Sequence, residues 1–136
     1  AMGTNIIYEG GAGKGQHTKM ANQIALAGAV ASVSEAIAYA RRTGLDVETM
    51  LASISKGAAG SWQMTNNAPK MVAGDMAPGF FIKHFIKDMA IADEEAKAAG
   101  LTMPVLEEVL EMYRELDRRG EGDLGTQAVI HYFDEK

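Results

Sequence analysis

From Lys14 to Arg42 the chain runs with few charged interruptions. The stretch Ile24 to Val33 is apolar at nearly every position, and only Gly28, Ser32, Glu35 and Tyr39, spaced four, three and four, form a less apolar stripe. That pattern predicts one unusually long helix. A helix apolar on most faces belongs at the buried centre of a bundle. Arg41 and Arg42 suit its negative C-terminal end, and Gly44 suits a left-handed stop.

Asp46 then reads as the N-cap of a short helix whose apolar face is Val47, Met50, Leu51 and Ile54, closed by Lys56 and Gly57. Ser61 is expected to open a third short helix carrying Trp62. Pro69 is expected to interrupt it, with Met71 and Val72 adding a turn. Residues 74–79 read as a loop. Ile82, Phe85, Ile86, Met89 and Ala96 predict an amphipathic helix ended by Gly100. Val105, Leu106, Val109, Leu110, Tyr113 and Leu116 predict another, begun by Pro104. A polar loop over 121–123 leads to a last helix from about Thr126 to Phe133. Trp62 and the methionines are expected in the core. The fold class is therefore all-α, with about six helices packed around one long central helix.

Asn5 to Tyr8 reads as a short strand with no later strand to pair with. An orphan strand suggests a sheet-bearing domain ahead of it, and Ala1-Met2-Gly3 reads as a cloning scar or a cut within a longer protein. Residues 1–12 are expected to be the remnant of that domain plus a glycine-rich turn, and residues 13–136 the helical domain.

Composition narrows the function classes. The chain has 136 residues, enough for one domain with a real core. A net charge of −5 argues against a nucleic-acid partner. With no cysteine, disulfides and thiolate catalysis are excluded; this allows the expected cytoplasmic location without showing it. No signal peptide is visible, and the ten-residue run from Ile24 to Val33 is half of the roughly 20 residues a bilayer span needs, so no membrane partner is expected. His17, His84 and His131 lack metal-ligand spacing, and no metal is expected.

The candidate chemistry lies where the glycine-rich turn meets the long helix, in Gly10-Gly11-Ala12-Gly13-Lys14-Gly15-Gln16-His17-Thr18-Lys19-Met20-Ala21-Asn22-Gln23. The glycines fit neither a dinucleotide fingerprint, which needs a second strand after the helix, nor a phosphate-binding Walker loop, which needs Ser or Thr after Gly-Lys. Lys19, Asn22 and Gln23 share a helix face at spacings of three and four. A lysine near a helix N-terminus sits in a field that disfavours its charge. An amine tuned in that way serves as a general acid or base. Lys87-Asp88 is a second candidate; its ordinary reading is a solvated pair.

Several strings in order resemble one family. The pattern Gly10-x-x-Gly13-x-Gly15-x-x-x-Lys19-x-x-Asn22 is similar to the catalytic-lysine signature of the β-hydroxyacid dehydrogenases, which include 3-hydroxyisobutyrate dehydrogenase and tartronate semialdehyde reductase and are distant relatives of 6-phosphogluconate dehydrogenase. Ser55 to Ser61, Pro78-Gly79-Phe80 and His84 to Asp88 fall where that family has similar strings. The resemblance is to the C-terminal helical domain alone. It implies a missing Rossmann domain that binds most of the NAD or NADP and whose last strand is Asn5 to Tyr8. It also implies Lys19 as the catalytic acid/base, Asn22 and Gln23 as substrate-binding amides, and Lys87 and Phe80 beside the cofactor. The substrate implied is a small hydroxyacid or its semialdehyde, and the assembly a homo-dimer or tetramer. The chain alone is expected to be catalytically silent. The competing reading is a helical interaction or oligomerisation module without chemistry.

Overall fold

The computed structural model describes residues 14–134, without the side chain of Lys14. The predicted strand at 5–8 and the glycines at 10–13 lie outside the described residues. Six α-helices follow one another: α1 (Lys14–Thr43), α2 (Val47–Ile54), α3 (Trp62–Asn66), α4 (Ala68–Ala73), α5 (Ile82–Ala98) and α6 (Pro104–Arg118). A 3-10 helix, Thr126–Phe133, comes last. The fold is all-α, and α1 packs against every other helix.

α1 buries Ala27, Val30, Ala31, Val33, Ile37 and Ala40. Its small side chains let α5, α6 and the 3-10 helix come close. The buried Ser34 hydroxyl is satisfied within the helix, donating to the Ala31 carbonyl at 2.6 Å. The less apolar stripe is the solvent face: Ser32, Glu35 and Tyr39 are exposed and Gly28 half-exposed. The helix stops at Gly44, whose φ of +84° is the left-handed conformation that side chains resist. There the Leu45 N–H reaches back to the Ala40 carbonyl at 2.9 Å. By length and composition alone α1 is long and apolar enough to cross a membrane, a property hidden when only the ten-residue run is counted. In this fold its apolar residues meet other helices, as those of a core helix do.

α5 and α6 complete the core. The Phe85 and Tyr113 rings meet edge-on at 5.1 Å. Both are fully buried, as are Ile82, Met89, Leu106 and Leu116. The Tyr113 hydroxyl donates to the Thr126 carbonyl at 2.8 Å, and burial pushes its pKa well above the usual phenol value.

Two expectations need correction. Pro69 does not interrupt a helix; it stands in the first turn of α4, where no N–H is required, and the break from α3 falls at Asn67. Trp62 is 67% exposed and Val105 63% exposed. Each stands in the first turn of its helix, and the inward faces there are taken by Gln63 and Met64, and by Leu106. The final helix spans Thr126–Phe133 as expected; it is a 3-10 helix, and the Tyr113 hydroxyl donates to the Thr126 carbonyl in its first turn. The expected polar loop at 121–123 is present and is tied down. Gly122 is buried, and its carbonyl takes the Lys83 N–H at 3.0 Å.

That last contact belongs to a seam that fixes the entry to α5. Ile82 N–H donates to the Leu124 carbonyl, Gly125 N–H to Met76 and Thr126 N–H to Phe80, all within 2.9–3.1 Å. Phe81 and Gly125 form an isolated antiparallel bridge. The buried side chain of Gln127 donates to the carbonyls of Asp75 and Ala77, both at 2.9 Å. A loop that would otherwise be held by its own turn chemistry is thus tied to the C-terminal segment.

Candidate functional site

The second and third turns of α1 carry Lys19, Asn22 and Gln23. Lys19 and Asn22 are exposed, while Gln23 is buried at 7% exposure. Adjacent helical residues are a hundred degrees apart, so Gln23 turns into the α1–α5 interface while Asn22 stays at its rim. Lys19 is the sixth residue of α1, past the first turn, in which the helix dipole acts most strongly.

Gln23 is held at both ends. Its Nε2 donates to Asp88 Oδ2 at 3.1 Å, across 65 residues of sequence. Its Oε1 accepts from Asn22 Nδ2 at 3.0 Å. A line of three polar side chains, Asp88, Gln23 and Asn22, therefore runs from the half-buried flank of α5 to the exposed face of α1. This bond brings the Lys-Asp pair of α5 beside the lysine-bearing turns of α1. Lys87 is exposed next to Asp88.

At the N-terminal end of α5 stands Phe80. Its ring is half-buried, edge-on to Phe85 at 5.9 Å and 6.4 Å from His84. Phe81 lies 5.3 Å from His84 and under the Lys83 ammonium, which pairs with Asp123 at 2.6 Å. The seam to Gly125 and Gln127 fixes where Phe80 emerges. Lys19, Asn22 and Lys87 are exposed; a cavity of about 390 Å³ lies further along α1, between Gly28, Ser32, Val105 and Met112.

The structure thus joins Asn22 and Gln23 to Asp88, which the sequence offered only as half of a solvated pair. No spacing rule connects positions 23 and 88. The one available signal was chemical, an amide on an otherwise apolar helix flank that needs a polar partner.

Residues 13–133 match the family described as the NAD-binding domain of NADP-dependent 3-hydroxyisobutyrate dehydrogenase. The chain belongs to this family. It is 53% identical over 128 residues to the uncharacterised oxidoreductase YkwC of Bacillus subtilis, covering 94% of this chain and 44% of that protein. It is 32% identical over 129 residues to the 2-hydroxy-3-oxopropionate reductase of Escherichia coli, covering 95% of this chain and 44% of the relative. The fold matches the crystal structure of a 3-hydroxyisobutyrate dehydrogenase from Salmonella typhimurium with a TM-score of 0.83 and 31% identity, over 89% of this chain and 42% of that one. The chain spans less than half the length of these relatives. The family's description names an NADP-dependent 3-hydroxyisobutyrate dehydrogenase.

Proposed function

We propose that this chain is the helical half of an enzyme that interconverts a small β-hydroxyacid and its semialdehyde, of the 3-hydroxyisobutyrate or tartronate semialdehyde type. Lys19 is its general acid/base. The observation that carries the reading is the exposed Lys19–Asn22 face of α1, held against the Lys87–Asp88 turn of α5 by the Gln23–Asp88 bond. It stands in a chain matched to this family over nearly its full length.

The residues present fit one edge of a dinucleotide cofactor. The half-buried Phe80 ring offers an apolar wall, and Lys87 a cation for a nearby phosphate or carboxylate. The nicotinamide supplies or accepts the hydride when bound. In the reducing direction the Lys19 ammonium gives its proton to the oxygen that was the carbonyl, and in the oxidising direction the amine takes the hydroxyl proton back. Asn22 orients the reacting group. The site's open surface supports a second domain as the other wall: positioned acid/base chemistry works best where water is excluded. Most of the cofactor's contacts would then lie outside this chain, and residues 1–12 would form the junction.

The test is to join this chain to the part of YkwC outside the matched 128 residues, in place of the matched segment. The joined protein is expected to oxidise NAD(P)H with small semialdehydes, and the isolated chain to show no turnover. Turnover by the isolated chain, or a well-folded joined protein silent toward all such substrates, would overturn the reading. The exposed Tyr39, Trp62 and Val105 also favour self-association as a dimer or tetramer. Sedimentation showing only monomer at micromolar concentration would refute that part.

A further inference from the structure

We propose that Asp88, acting through Gln23, sets which end of the Asn22 amide faces the substrate, so that the site presents a hydrogen-bond acceptor beside Lys19. This rests on the dehydrogenase reading for its ligand, though not for its geometry.

The argument is one of donor and acceptor matching. An ionised carboxylate accepts and never donates. Asp88 Oδ2 therefore selects the nitrogen end of the Gln23 amide, which it meets at 3.1 Å. With Nε2 so committed, Gln23 must turn Oε1 toward Asn22. That oxygen in turn selects the nitrogen end of Asn22, met at 3.0 Å. Each amide is thereby deprived of its freedom to flip. Asn22 Oδ1 is left for the exposed side, on the same helix face as Lys19 one turn earlier. A carbonyl oxygen there attracts donors, namely a substrate hydroxyl or the lysine ammonium. It repels a carboxylate. In the oxidising step the hydroxyl's single proton goes to Lys19 Nζ, so the donor that Asn22 Oδ1 holds is an N–H of Lys19, and the substrate carboxylate is gripped elsewhere. Gln23 is a positioning residue: buried at 7% exposure with both ends engaged, it acts through Asn22 rather than on the substrate.

The relay is tested in the chain as it stands, by the side-chain amide signals of ¹⁵N-labelled protein. In the native chain the amide protons of Gln23 and Asn22 that lie in these bonds are expected to exchange roughly two- to tenfold more slowly than those of the exposed Gln16 on the same helix. Equal rates would overturn the relay, with no variant needed. Asp88→Asn, whose amide offers either end to Gln23, is expected to move or double the Asn22 side-chain signal, although the two residues share no direct bond. Gln23→Met is expected to shift it too, and adding Asp88→Asn to that variant to change it no further. An Asn22 signal indifferent to Asp88→Asn in a folded protein refutes the proposal. Because none of these readouts uses turnover, a failed relay and a failed dehydrogenase reading give different results.

Discussion

Gln127 reaches back 50 residues to donate its side-chain amide to the carbonyl of Ala77 at 2.9 Å. The same nitrogen serves Asp75, so one buried side chain satisfies two carbonyls of the loop before α5. It sits where a Cβ on Gly125 would stand, which is why position 125 is glycine. Gln127→Leu keeps similar bulk and removes the donor. Asp75 and Ala77 are exposed, so water can take over their carbonyls and the loss is that of ordinary hydrogen bonds, about 0.5–1.5 kcal/mol. The variant is expected to lose that much in denaturant unfolding. It should also expose the Gly125 and Thr126 amides, bonded to Met76 and Phe80, to faster hydrogen exchange. Unchanged exchange at those amides would show that the seam holds without Gln127.

Gly28 tests how closely α1 and α6 approach. A methyl added there would meet Val105 Cγ1 at 3.5 Å, ordinary van der Waals contact. The position is in the middle of a long helix, where glycine is less favourable than alanine by about 0.5–1 kcal/mol. Gly28→Ala is therefore expected to raise the urea midpoint by a corresponding amount. A lowered midpoint would mean that the two helices need a closer approach than this contact allows.

The helix boundaries were legible because their signals are local. A capping aspartate at 46, glycines past the ends of α1, α4 and α5, and a proline opening α6 each act within a few residues. The Lys19–Asn22 face was legible for the same reason, since i to i+3 spacing is a property of the helix alone. Gln23 was not. Its spacing of four from Lys19 suggested a shared exposed face, yet the partner that draws it inward is Asp88, 65 residues away. Trp62 and Val105 were misread because apolar residues need not be inside; burial is decided by the neighbours each helix happens to face. The seam between 75–83 and 122–127 is built from backbone groups and one glutamine, which leave no pattern in the order of side chains.

The cap of α2 makes a pH-dependent contribution. The Thr49 hydroxyl donates to Asp46 Oδ2 at 2.6 Å and the Thr49 N–H to the same oxygen at 2.9 Å. These bonds, the hydroxyl's first, hold the carboxyl below its usual pKa. A group whose pKa is lowered by folding stabilises the fold above its unfolded value, about 4, and the benefit fades as pH falls through the lowered folded value. Asp46→Ala is therefore expected to melt below the parent chain at pH 7, and the gap to shrink steadily below about pH 4. A gap independent of pH would show that the charge plays no part in the cap.

Lys19 can serve as a proton carrier or merely as a fixed positive charge, and two substitutions separate these roles. In the joined two-domain protein, Lys19→Ala is expected to lower kcat by roughly two to four orders of magnitude, the usual worth of a positioned acid or base. Lys19→Arg keeps the charge, but a guanidinium does not release a proton in proteins. If the amine shuttles the proton, the arginine variant falls as far in kcat as the alanine variant, while its KM for the hydroxyacid stays nearer the parent value because the charge is retained. If the charge alone matters, Lys19→Arg keeps most of the parent rate and the shuttle is refuted. Steady-state kinetics in the oxidising direction, where the amine must first accept the hydroxyl proton, give the sharper reading.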